Sequence, residues 1–154
     1  LGSNVEQIVR KAKVPVIVIK EDAVTFPFKN IVFVSDFQED VKSAFKEVIS
    51  IASKCNAHIH LLQINTETDY NSIKSGKNWM SLLLKDFPEL QDYSEHIYNE
   101  HTVEIGINQF IEQNEADLIA MCTHGRTGFL RLFSNSIAEG ITNHSTLPVM
   151  TIHI

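Results

Sequence analysis

Cysteine is scarce: Cys55 and Cys122 are the two in the chain, 67 positions apart. No paired spacing surrounds either, which excludes a disulfide framework and a cysteine zinc site, and both read as buried thiols. Positive charge is also in short supply, with 13 Lys and Arg against 19 Asp and Glu and a net charge of −6. The densest basic run, "RKAK" at 10–13, is short, so broad recognition of a nucleic-acid backbone, which needs clustered cations, is excluded. No apolar run approaches the ~18 residues of a spanning helix, and the first residues lack the order of a signal peptide. No membrane partner is therefore expected, and a cytoplasmic location is. His58 and His60 alternate along one stretch, and no other histidine stands at helical ligand spacing from either; no metal site is expected. There is no Walker motif and no carboxylate cluster beside a candidate loop, so metal-assisted nucleotide hydrolysis ranks last among the readings and no enzyme is expected.

What the chain does have is enough apolar material to fold. Its 154 residues, 44% hydrophobic and 21% charged, suit one complete domain burying roughly two-thirds of its unfolded surface. An internal repeat stands out. Residues 1–20, "LGSNVEQIVRKAKVPVIVIK", align with 134–153, "SNSIAEGITNHSTLPVMTIH", at a constant offset of 133, with Ser3/Ser136, Glu6/Glu139, Ile8/Ile141, Pro15/Pro148, Val16/Val149 and Ile19/Ile152 identical. Both copies read as a Ser-capped helix, a proline and a short β-branched strand. The expectation is that 1–20 is the tail of a preceding repeat, 21–29 a linker around Pro27, and 30–154 the full domain.

Within that domain strand and helix alternate. "IVFVS" (31–35) is a buried-strand run, and Val41, Ala44, Phe45, Val48, Ile51 and Ala52 recur at helical spacing over 39–55. A strand at 58–64 precedes a polar stretch, 65–78, read as a long surface loop. Then come a helix at 79–87, a strand at 95–100, a helix capped by Thr102, a strand at 117–122, a helix near 136–144 and a last strand at 148–153. Such alternation predicts an α/β fold with a parallel sheet and helices on both faces. In such sheets the ligand crevice lies where strand order reverses, between the loops after the first and fourth strands of the domain.

"NIVFVSDF" (30–37), "HLLQI" (60–64), "EADLIAMCTHGRTG" (115–128), "SNSIAEG" (134–140) and "LPVMTI" (147–152), in this order and spacing, resemble the universal stress protein family. The resemblance implies an open, flavodoxin-like sheet of five parallel strands in order 3-2-1-4-5. It also implies an adenine-nucleotide pocket for ATP, or AMP or ADP, with Mg as a companion ion. Nucleotide-binding members carry Gly, two residues, Gly, nine residues, then Gly and Ser or Thr; here those positions are Cys122, Gly125, Asn135 and Ser136, so two of the glycines are missing.

Cys122 adds a side chain where backbone would approach a phosphate, whereas Asn135 tolerates left-handed backbone better than most residues. Ser136 can cap its helix with or without an anion, and a helix amino terminus favours negative charge. Gly125 allows a tight loop, and Arg126 offers a forked guanidinium. The loop after the first strand of the domain supplies Val34, Ser35 and Asp36 to the crevice; by resemblance Asp36 sits near the adenosine, with Ile64 and Met121 as apolar walls, and the plainer readings are a turn for Asp36 and core for the other two. His124 reads as a turn residue. Family members also associate through their last strands, so 14–20 is expected to pair antiparallel with 147–153, within one chain or between two. Two functions stay open: a nucleotide-responsive stress module with a weakened pocket, or a scaffold that binds no nucleotide and meets an unknown protein partner.

Overall fold

The computed structural model describes residues 7–9, 11–19, 25–38, 41–67, 73–123 and 147–154. Its strands are β1 (Val16–Val18), β2 (Asn30–Val34), β3 (His58–Asn65), β4 (Tyr93–Asn99), β5 (Leu118–Thr123) and β6 (Val149–His153). The bounded helices are α1 (Lys42–Cys55), α2 (Ile73–Leu84) and α3 (Val103–Asn114), and residues 7–9 and 11 are helical as well. The strands form one sheet in the order β1-β6-β5-β2-β3-β4, parallel in every pair except β1 with β6. The five strands from residue 30 onward, β2–β6, are all parallel and take the expected order 3-2-1-4-5, while the sheet as a whole is six-stranded and mixed. The difference is β1, which runs antiparallel along the free edge of β6, Val16 opposite Thr151 and Val18 opposite Val149.

Alternation along each strand divides the core into two layers. Ile31, Phe33, Ile59, Leu61, Leu118, Ala120 and Cys122 face α1 and α2, where Ala44, Phe45, Val48 and Met80 meet them. Val32, Val34, Leu62, Ile119, Met121 and Val149 face the other way and pack against Ile107 and Phe110 of α3. β2 and β5 are covered on both sides, which is why they read as unbroken apolar runs rather than alternating ones. α1 ends at Asn56, whose left-handed φ of 52° lets its N–H return to the last turn.

Three expected boundaries are corrected. The loop foreseen at 65–78 is helical from residue 73, and the helix foreseen at 79–87 is α2, ending at Leu84. Its buried stripe is Gly76, Met80 and Leu83, and glycine carries no apolar signal. A Cβ at Gly76 would lie 2.6 Å from Gln63 Oε1 and 2.8 Å from Ile97 Cδ1, so only hydrogen permits this approach. β4 begins at Tyr93, earlier than the foreseen 95, because Tyr93 pairs with Ile59 of the central part of the sheet. The foreseen helix near 136–144 and the residues 21–24 of the foreseen linker lie outside the described residues.

Candidate functional site

The crevice end of the sheet is built where β2 and β5 finish side by side. Val34 pairs with Leu62 on one side and with Met121 on the other. Val34 and Met121 are buried, and half-buried Ile64 packs on the same cluster. Ile64 and Met121, foreseen as walls, therefore share one face with Val34, the α3 face. Ile64 is pinned there by a close helix approach: a Cβ at Gly106 of α3 would stand 2.6 Å from Ile64 Cδ1 and 2.8 Å from Cγ2.

After Val34 the chain makes a tight turn. Ser35 N–H donates to Leu62 O (3.2 Å), Phe37 N–H to Ser35 Oγ (3.0 Å), and Gln38 N–H to Asp36 Oδ1 (3.1 Å). Phe37 takes a left-handed φ of 59°, unfavourable for a bulky side chain by roughly 1–2 kcal/mol. Its buried ring, edge-on to Phe33 at 5.9 Å, holds the turn in place. Asp36 is left exposed at the tip, one carboxylate oxygen accepting from the turn. The carboxylate acts on the neighbouring strand too: burial first, then the charge of Asp36, pushes the Cys122 thiol up to about 12.

Cys122 points away from Met121, as strand alternation requires, and its side chain belongs to the layer under α1. Val34, Ile64 and Met121 are thus brought together, with Asp36 beside them and Cys122 turned into the core. His124, Gly125, Arg126, Asn135 and Ser136 lie outside the described residues. Phe37 and Gly106 were missed in the sequence. An isolated glycine inside the helical pattern "VEIGINQF" was the available signal for the second, since such a glycine usually has a packing reason. Asp117 was missed as well: its carboxylate accepts from the backbone N–H groups of Lys29 (2.5 Å) and Asn30 (3.2 Å), tying the start of β2 to β5.

With this geometry established, the sequence profile described as "Universal stress protein family" matches residues 27–153. The chain belongs to the universal stress protein family. A universal stress protein of Methanocaldococcus jannaschii is 25% identical over 139 residues, covering 81% of this chain and 82% of its own. Among solved structures, a universal stress protein from Archaeoglobus fulgidus matches 99% of this chain with a TM-score of 0.76 and 20% identity. This chain spans about half, 54%, of that protein's length. Universal stress proteins solved in complex with cAMP and, from Archaeoglobus fulgidus, with dAMP match at TM-scores of 0.62 and 0.60, with 15% and 16% identity. They cover 82% and 80% of this chain and 97% of each partner's length. At these identities the likeness to solved structures is one of fold.

Proposed function

We propose that this domain is a nucleotide-responsive universal stress module, not a catalyst, that takes an adenine nucleotide (ATP, or AMP or ADP) at the carboxyl ends of β2, β3 and β5. One observation carries the reading: Val34, Ile64 and Met121 share a face at the strand ends, beside the exposed Asp36. An apolar wall next to a polar turn suits a base and its ribose. Two fold relatives are described in complex with adenine nucleotides, which supports the same class of ligand here. Gly125, Arg126 and Ser136 are the residues we assign to the phosphates, with Mg as a companion ion. Cys122 and Asn135 weaken the site by removing two positions of close backbone approach. Among the described residues no helix is long and apolar enough to cross a membrane, and we place the module in the cytoplasm.

The test is direct. The purified protein is denatured and the supernatant examined for released nucleotide, and ATP with magnesium is then titrated by calorimetry. We expect bound or bindable nucleotide, weakened at least tenfold by Asp36→Ala and strengthened by Asn135→Gly. No released nucleotide and no heat up to millimolar ATP would refute the reading.

The second reading, an association scaffold, has its own support. β1 occupies the edge of β6, the edge through which we expect family members to associate, and an open edge strand invites pairing. We read residues 1–20 as the tail of a preceding repeat, so that a tandem protein would carry its pseudo-dimer seam within one chain. Light scattering on the chain with and without residues 1–20 tests this: dimerisation upon deletion is the expected outcome, and a monomer in both cases would oppose it.

A further inference from the structure

On the outer strands of the sheet, the register of β3 on β4 gathers residues that sequence spacing keeps apart. His60 lies beside Ser94 and Leu62 beside His96. Ser94 Oγ stands 2.9 Å from His58 Nε2, 2.9 Å from His60 Nδ1 and 2.8 Å from His96 Nε2. His58 turns its other nitrogen, Nδ1, to Asp92 Oδ1 at 2.5 Å. Phe110 of α3 closes one side, its ring 5.3 Å from that of His60 and 4.8 Å from that of His96.

One hydroxyl donates once and accepts twice, so Ser94 serves all three nitrogens only where two rings donate to it and the third, His58 with its Nδ1 turned to Asp92, accepts. The three nitrogens converge on one point, and a cation of matching size there would take a lone pair from each. His60 Nδ1 and His96 Nε2 are 3.3 Å apart, about the separation that two nitrogens take on a tetrahedral ion with bonds of roughly 2.0–2.1 Å. A carboxylate behind a histidine fixes the tautomer that presents Nε2 and raises its basicity, the usual second partner of a metal-bound imidazole. Among the described residues no three such side chains stand at ligand distance as they are, because the Ser94 hydroxyl holds the middle. Each nitrogen has to close by less than about 1 Å to reach bonding distance.

We propose that His58, His60 and His96 bind a divalent first-row transition-metal ion such as zinc, with Ser94 turning aside and Asp92 orienting His58. Imidazole is a ligand for this class of ion and a poor one for Mg2+ or Ca2+. The site uses none of the residues assigned to the nucleotide, and its test is independent of that reading.

Zinc chloride titrated into the full chain by calorimetry at pH 7.5, with cobalt as a spectroscopic stand-in, tests the assignment. The expected result is one zinc per chain and a tetrahedral cobalt spectrum. His60→Gln and His96→Gln should each weaken binding at least tenfold, and Asp92→Asn by roughly 10- to 100-fold. Ser94→Ala, which removes the competing hydroxyl without touching a ligand, should bind as tightly or more tightly. Circular dichroism checks that each variant folds, and the Ser94 and Asp92 variants decide the matter if a histidine variant does not. No uptake by the unmodified chain would overturn the proposal. So would uptake that both histidine changes leave unaltered, or binding abolished by Ser94→Ala.

Discussion

Gly106→Ala separates packing from helix propensity at the wall of the candidate site. On an exposed helix the change would stabilise by about 0.8–1.0 kcal/mol, because alanine costs less backbone entropy. Here the new methyl meets three atoms of one side chain: Ile64 Cδ1 at 2.6 Å, Cγ2 at 2.8 Å and Cγ1 at 3.1 Å. Cδ1 could swing away, but Cγ2 and Cγ1 both branch from Cβ, so one rotation cannot clear all three. Overpacking of this kind costs typically about 1–3 kcal/mol, which outweighs propensity and leaves a net loss of about 1 kcal/mol. The assay is a double-mutant cycle by urea denaturation with Gly106→Ala, Ile64→Ala and both. With Ile64 truncated the obstacle is gone, and the same glycine change should then stabilise; a coupling of roughly 1–3 kcal/mol is expected for directly touching residues. If Gly106→Ala stabilised the unaltered protein by its propensity value, the close approach of α3 to β3 would be wrong. Nucleotide titration of the same variant reads the second consequence, since a displaced Ile64 moves one wall of the crevice.

Asp117→Ala should cost about 1 kcal/mol in denaturant unfolding, since it removes a carboxylate acceptor from the exposed and half-buried N–H groups of Lys29 and Asn30 at the start of β2; no measurable change would contradict the tie. His60 is lowered to about 4, chiefly by burial and then by His58 and His96. The unfolded chain, with its histidine near 6.5, therefore takes up a proton that the folded chain refuses. Stability present above that value is lost as pH falls from about 6.5 toward 4, on the order of 1–2 kcal/mol after solvent screening; parallel stability curves for the protein and its His60→Gln variant would refute this. Cys122, raised from 9.0 to about 12 by burial and Asp36, and the buried Cys55 should both resist a thiol reagent in the folded protein and react in denaturant. The Cys122 contribution is lost at the alkaline end, as pH rises from about 9 toward 12. Rapid native labelling of Cys122 would show that its side chain lies in the crevice and not in the core.

Period-two and period-3.6 patterns were enough to read the layered α/β plan, because β2, β5 and α1 bury side chains that carry the hydrophobic signal themselves. Features made by an absent side chain or by a partner distant in the chain were not legible. Gly76 and Gly106 contribute by letting backbones approach, and a hydrophobicity pattern scores them as gaps. Asp117 meets Lys29 and Asn30 across 88 and 87 positions, and His96 meets His60 across 36; spacing along one element could not reveal either contact before the register was known.

One consequence at the crevice was nonetheless within reach of the sequence. Successive residues of a strand face opposite ways, so Met121 and Cys122 cannot both line one wall, and once Met121 is given to the α3 face the thiol must enter the layer below α1. The structure places it there. The departure from glycine at this position is therefore a matter of backbone approach, with the thiol itself serving the core. Replacing Cys122 by glycine would ease that approach and at the same time empty core volume, at a cost of about 1–3 kcal/mol for a side chain of this size. Any affinity regained would be measured on a less stable protein, so Asn135→Gly is the cleaner single change for asking whether the missing glycines alone weaken the site.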